Sequence, residues 1–436
     1  MIQTLKNAWK IEDLRRKILF TLLIILLYRV GNAIPVPYVN TDALQLYFDN
    51  VQGTMLGLYN MMSGGAFSQA TIFALSIQPY INASIIIQLL CIAIPALERL
   101  SKEGGEEGRK KIASITRYAT VGIGLLMGFA YYMLMKNSSV ANYSSLISAG
   151  YENNIWVAIV IILTFTSGSA LIMWLGEQIT EFGIGNGISI ILFASIMSRL
   201  PRTFIATVQN VIAGNLAWWV ALLMFLGALA IIVLIVFVND AERRIPVQYA
   251  KRVVGRKMYG GQSTFLPMKV NMSGVMPIIF ASSIGSLPAT IAGLAGKATK
   301  GSWVETWFGN NSLLYAVIYF LLIIFFAYFY STIQFNPIEV SNNLKKNGGY
   351  IPGFRPGKPT SEFIQKVLNK ITLFGALYLG VIAVTPILIS HFSNAPQLTG
   401  LSLGGTSIMI AVGVALETVR ALEAQMLMRN YKGFLD

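Results

Sequence analysis

Two reactive residue types are nearly missing from this 436-residue chain: it holds one cysteine, Cys91, and one histidine, His391. A lone cysteine excludes an intrachain disulfide. One of each makes a His/Cys metal centre untenable, because such a site needs three or four ligands. Cys91 also lies in an apolar run, where a thiol is packing rather than a nucleophile. Charge is scarce too. Asp, Glu, Lys and Arg make up 12% of the chain, against about 25% in a soluble domain. Hydrophobic residues make up 55%, and the mean hydropathy is +0.61. A soluble core cannot absorb that much apolar surface. An ordinary soluble enzyme, a disordered chain and a disulfide scaffold are therefore excluded. Neither a G-x-x-x-x-G-K-[ST] loop nor an H-E-x-x-H pair occurs, so nucleotide hydrolysis and zinc-protease chemistry have no motif here. Gly183-Ile184-Gly185-Asn186-Gly187 is glycine-rich but follows no strand, and reads as a tight entry into a helix.

What the chain has is apolar runs. A bilayer-crossing helix needs about 20 mostly apolar residues. Ten candidates lie near Ile18–Ile34, Thr71–Leu97, Tyr118–Met135, Ile155–Leu175, Ile184–Ser198, Leu216–Val238, Met272–Leu294, Leu313–Ile333, Ile371–Ile389 and Leu403–Leu427. No cleavable leader is expected, since the basic start runs straight into the first span. Net charge is +14, and its distribution sets orientation. Twenty-six Lys and Arg fall in the two tails and the loops after spans 2, 6 and 8; five fall on the other side. The positive-inside rule then puts both termini in the cytoplasm. One link breaks the pattern: between spans 4 and 5 stand Glu177 and Glu181 and no Lys or Arg.

These runs divide the chain. A tail covers 1–17, spans 1–5 cover 18–200, and an external link with span 6 covers 201–238. A basic loop follows over 239–271, then spans 7–8 over 272–335. A second basic loop covers 336–370, spans 9–10 cover 371–427 and a tail covers 428–436. Five spans per half permits an inverted repeat.

Intramembrane charge marks ion pathways, and here it is sparse. Within the limits above only Arg29, Glu417, Arg420 and Glu423 stand out, with Glu417 and Arg420 spaced to pair on one helix face. Spans 2 and 7 instead carry Ser, Gln, Asn and Pro in apolar runs. Such polarity serves helix packing or a mobile wall beside a cavity. The piece Leu58–Gln69 is too short and glycine-broken to cross, and reads as re-entrant. The basic loops serve as topology signals, lipid contacts or docking sites. The residues alone leave a transporter and a channel open.

Several stretches, however, resemble the SecY family, the central subunit of the bacterial Sec protein-translocation channel. They are Met62-Ser63-Gly64-Gly65-Ala66, Pro79-Tyr80-Ile81, Ala83–Leu90, Trp174–Glu181 running into Gly183–Gly187, Tyr249-Ala250-Lys251-Arg252 and Ile351–Gly357. The resemblance implies an all-α polytopic membrane protein, with ten helices in two inverted halves around an hourglass pore. It implies a waist ring of Ile77, Ile81, Ile188, Leu192, Ile279 and Ile410, with Leu192 where the family has isoleucine. It implies a plug near 59–70, made of Asn60, Met61, Met62, Ser63, Gly64, Gly65, Ala66 and Phe67, and a lateral gate between spans 2 and 7. Arg243, Arg244, Lys251, Arg252, Arg256 and Arg355 become the expected motor and ribosome contacts. The implied partners are the small subunits SecE and SecG, the ATPase SecA, the ribosome, secretory preproteins with their signal sequences, and anionic lipids. A multi-pass place in the bacterial plasma membrane is implied, with no enzymatic activity, cofactor or metal.

Overall fold

The computed structural model describes residues 2–50, 60, 63–102, 104–138, 145–151, 153–214, 217–249, 252–254, 257–259, 263–285, 287–288, 307, 312–393 and 404–432. The helices are α1 (Ile2–Lys10), α2 (Glu12–Gly31), α3 (Thr41–Asn50), α4 (Gln78–Ala93), α5 (Pro95–Lys102), α6 (Gly105–Asn137), α7 (Ile155–Phe182) and α8 (Gly187–Met197). They continue with α9 (Leu200–Ile212), α10 (Trp218–Asp240), α11 (Met276–Gly285), α12 (Leu313–Gln334), α13 (Pro337–Lys346), α14 (Lys358–Ser393) and α15 (Gly404–Lys432). Strands β1 (Glu242–Tyr249), β2 (Arg252–Val254), β3 (Lys257–Tyr259), β4 (Ser263–Lys269) and β5 (Gly349–Tyr350) lie outside the bundle.

Five of these segments are long and apolar enough to cross a bilayer: Gly105–Asn137, Ile155–Phe182, Trp218–Asp240, Leu313–Lys346 and Lys358–Ile389. A bent pair makes a sixth. Span 2, expected as one run over Thr71–Leu97, is that pair. Thr71 bridges to Pro35, residues 72–77 are turns, α4 starts only at Gln78, and the chain bends 106° between Gln78–Ala93 and Pro95–Ser101. Both proline positions explain this. Pro79 sits in the first turn of α4, where its missing N–H costs nothing. Pro95 pushes Ile94 into the extended region, with ψ of 113°, and so ends the helix. The other expected crossings fall on the charged α2 and α15 and on the shorter α8 and α11.

One large apolar cluster joins both halves. It runs through α2, α4, α7, α8, α10, α11, α12, α14 and α15. A second cluster packs α3, the 63–75 segment, α6 and the start of α7. α10 differs from the rest: only 6% of its most apolar window is buried.

The two basic loops depart from the all-α expectation. β1 and β4 form an antiparallel hairpin from Glu242↔Lys269 to Gln248↔Ser263. β5 adds to it through Gln248↔Tyr350 and Tyr249↔Gly349. Far from being a loop, 336–370 holds α13, β5 and the first turns of α14. Asn336 caps α13 through Ile338 and Glu339, with Pro337 in its first turn. Ile245, Val247, Met268, Ile351, Ile364 and Leu368 give this platform its own small core. The two loops are thus one folded body.

Candidate functional site

The six residues expected at the waist come from four helix starts. Ile77 is the N-cap of α4 and Ile81 lies one turn on. Ile188 and Leu192 open α8, Ile279 is in the first turn of α11, and Ile410 is in the second turn of α15. The fold brings them together in the cluster that joins both halves. Five are 1–4% exposed, and Ile188 is half-buried against that cluster. Polar groups flank this layer. Gln78 on α4 donates an amide hydrogen to Ser283 Oγ on α11, 3.1 Å away and buried. Asn82, one turn further, meets Met127 Sδ at 3.8 Å. Ser76, just before Ile77, has a φ of +50° and a buried hydroxyl without a hydrogen-bond partner among the described residues. That left-handed backbone is unusual for serine and costs on the order of 1–3 kcal/mol.

The expected plug is described at Asn60 and from Ser63 to Ala70; Met61 and Met62 lie outside the described residues. It is a compact turn stitched by its own polar groups. The Asn60 carbonyl accepts from Gly65 N at 2.8 Å and from Ser63 Oγ at 3.0 Å. Asn60 Oδ1 accepts from Ser68 N, and Ser63 Oγ accepts from Phe67 N, both at 3.0 Å. Phe67 is the anchor. Its ring stacks on Tyr131 with centroids 4.1 Å apart, Phe48 meets it edge-on at 5.3 Å, and the Tyr131 hydroxyl donates to its carbonyl. Gly64 presses on α8: its φ is +70°, and a Cβ there would lie 2.9 Å from the Ser195 carbonyl. Ser195 in turn shares a 2.7 Å hydrogen bond with Tyr28.

On the platform, Arg243 and Arg244 are exposed on β1, and Arg244 already pairs with Glu242 at 2.7 Å. Arg355 is exposed beside Phe354, whose ring stacks on Phe363 at 4.2 Å. Thr360 Oγ1 holds the Arg355 carbonyl at 2.8 Å. Lys251 and Arg256 lie outside the described residues, and of Arg252 only the backbone, in β2, is described.

Two of the four charges expected within spans, Arg29 and Arg420, are tied to other helices. Arg29 donates to the Ala194 carbonyl and lies over the Tyr28 ring. Arg420 does not pair with Glu417; it reaches α10, bonding the Asp240 carboxylate and the Asn239 carbonyl. The acidic link after span 4 also has its explanation. Glu177 pairs at 2.9 Å with Arg117, at the base of α6, so opposite charges share one end of the bundle. Arg117, Met173, Trp174, Glu177, Gln178 and Glu181 line a cavity of about 310 Å³ there. Sequence reasoning missed the Gln78–Ser283, Tyr131–Phe67 and Arg117–Glu177 contacts. Only the last had a signal, in the local failure of the charge rule.

A bundle of long apolar helices whose two halves share one buried apolar cluster, with a short compact turn pressed on α8, defines a polytopic membrane protein. The comparisons place it more narrowly. The SecY family model matches residues 71–419. A protein translocase subunit SecY from Streptomyces coelicolor is 46% identical over 447 residues, covering 100% of both chains. The subunit of that name from Mycobacterium tuberculosis is 44% identical with the same coverage. Among solved structures, a protein-conducting channel superposes with a TM-score of 0.66 at 16% identity, over 94% of this chain and 92% of that one. Sec61 of the canine ribosome-channel complex gives 0.65 at 14%, over 94% and 92%. The chain belongs to the SecY family.

Proposed function

We propose that this chain is the pore-forming subunit of a protein translocation channel, conducting unfolded secretory polypeptides across the bacterial plasma membrane. The observation that carries the reading is the convergence of Ile77, Ile81, Leu192, Ile279 and Ile410 in one buried apolar cluster, with Ile188 packed on it. Such a layer excludes water and ions and offers a passing chain no binding site. The ten-span count, with both termini cytoplasmic, follows the 26-to-five split of basic residues. The 59–70 segment acts as the plug, and α4 and α11 act as the lateral gate that releases membrane segments into lipid.

The Gln78–Ser283 bond suits a gate. It fixes the closed register and is exchanged for water on opening, so its net worth is only about 1 kcal/mol. SecE and SecG cover the lipid-facing helices, of which α10 is the most exposed. The platform is the dock for the SecA motor and the ribosome, with Arg243, Arg244, Lys251, Arg252, Arg256 and Arg355 meeting acidic protein surface or RNA phosphate. Anionic lipids meet the same basic face. Replacing Arg355 with Glu is expected to stall motor-driven export; unchanged translocation of a preprotein in vesicles would remove that role.

The direct test is a crosslink. Cys91 is replaced by serine, a single cysteine is placed at Ile81, and a preprotein with one cysteine is jammed mid-chain in reconstituted vesicles. An ATP-dependent disulfide supports a polypeptide at the waist. Export without that crosslink means the ring is misassigned, and no export under any partner condition overturns the channel reading.

A further inference from the structure

The root of the β1–β4 hairpin is gripped from both sides by one face of α15. On the outgoing arm, Arg420 donates to the Asn239 carbonyl at 2.8 Å and to the Asp240 carboxylate. That satisfies an acceptor at the C-terminus of α10, where a cation is also favoured by the helix dipole. On the returning arm, Gly274 has a φ of +61°, and a Cβ there would come within 2.7 Å of a Glu417 carboxylate oxygen. A Cβ at Gly413 would lie 2.3 Å from Val275 Cγ1. The arms are joined to each other as well. Val270 N donates to the Ala241 carbonyl at 2.9 Å, and Asn271 Nδ2 donates to Asn239 Oδ1 at 2.8 Å. α14 closes the third side, with Gly375 against the Val270 carbonyl. Lys269, the last residue of β4, lies in the same field. Its ammonium is pushed below the usual lysine range by burial and then by Arg420, against the pull of Glu417, Asp240 and Glu242.

Spacing gives these contacts their meaning. Positions 410, 413, 417 and 420 recur at intervals of three and four, so they form one stripe of α15. The stripe begins with the waist residue Ile410 and ends with Arg420. Val275, held against Gly413, is 2% exposed and immediately precedes α11, which carries Ile279. Ile279, Ile410, Val275 and Val414 share the central cluster.

We propose that Arg420 is a positioning residue: it pins the hairpin root to the stripe of α15 that carries Ile410, so that a load on the platform reaches Ile279 and Ile410 together. Packed elements joined this way shift as units rather than deform, which lets a partner bound outside the membrane act on the waist. This rests on the channel reading above. It differs from a docking role, because Arg420 faces α10 rather than a partner.

The test uses the full chain with its small subunits in vesicles, in four forms besides wild type: Arg420→Gln, Arg420→Lys, Asp240→Asn, and Asp240→Arg combined with Arg420→Asp. Three quantities are read: motor ATPase binding to the vesicles, preprotein translocated, and ATP hydrolysed per preprotein. Arg420→Gln and Asp240→Asn are expected to leave binding unchanged and to lower the yield per ATP about tenfold, the scale of coupling between two sites. Arg420→Lys and the charge exchange are expected to restore most of it. Unchanged yield in Arg420→Gln overturns the proposal. So does a loss of binding that accompanies the loss of yield, since it marks a docking residue, and so does failure of both restoring variants, since it marks local misfolding. If wild-type vesicles bind the motor but translocate nothing, the channel reading falls and takes this inference with it.

Discussion

Phe67 in the proposed plug turn and Ile81 in the proposed waist are close in sequence but held by different means. The proposed plug turn is closed on itself by hydrogen bonds among Asn60, Ser63, Gly65 and Ser68, and it meets the rest of the molecule through the Phe67 ring seated on Tyr131 and Phe48, the Phe67 carbonyl on the Tyr131 hydroxyl, and Gly64 against α8. The waist has no such polar stitching within its layer. Its six residues are aliphatic, come from four helices, and belong to or pack on one buried apolar cluster. A piece that carries most of its own hydrogen bonds has few to break on leaving: the Tyr131 hydroxyl to the Phe67 carbonyl and Val36 N to the Ala70 carbonyl. A ring held only by dispersion and water exclusion can widen without breaking any directional bond. The difference separates a part that moves as a unit from a part that yields.

Phe67→Ala breaks the plug side hardest. Removing a buried aromatic costs about 3–5 kcal/mol, and the loss falls on docking rather than on the turn. Faster hydrogen exchange is expected at 63–70 with the α6 and α7 amides unchanged; protection equal to wild type would dissolve the distinction. On the waist side, Ile81→Asn or Ile410→Asn buries an amide among aliphatics at a cost of about 1–3 kcal/mol. The resting channel should then leak ions in planar bilayers, and conductance equal to wild type counts against the ring. The smallest effect lies at the proposed gate between α4 and α11. Ser283→Ala should weaken closure by about 1 kcal/mol, and adding Gln78→Leu should recover most of it, because both partners of the buried bond are then gone. A double-mutant cycle on gate opening measures that term, and simple additivity would mean the bond contributes nothing to closure.

Much of this fold was legible because two strong signals coincide. Apolar runs of bilayer length mark α6, α7, α10, α12 and α14, and loop charge orders them. What the runs hid was backbone detail. The bend after Ala93 was foreshadowed by Pro95, but no periodicity showed that residues 71–77 would stay unwound and leave Ile77 as an N-cap. The hairpin was missed for a different reason. Arg243–Tyr249 alternates apolar and polar only from Ile245 on, and the basic residues around it outweighed that short period. The turn at 63–70 was legible through its glycines, whereas its seat on Tyr131 was not, since α6 reads simply as apolar there. Ring membership came from resemblance. Nothing in the local sequence of α8 or α15 sets Leu192 or Ile410 apart from the other aliphatics in those helices.

The thinness of the waist has an electrical consequence. In the proposed waist Ile77 and Ile81 are one helical turn apart, as are Ile188 and Leu192, a rise of about 6 Å along each helix. In an hourglass pore with water above and below a layer that thin, most of the membrane potential would drop across it rather than across the whole bilayer. A charge on a passing polypeptide would then gain or lose about 2.3 kcal/mol per 100 mV within a step of one or two residues. Voltage would therefore act on the moving chain one charge at a time.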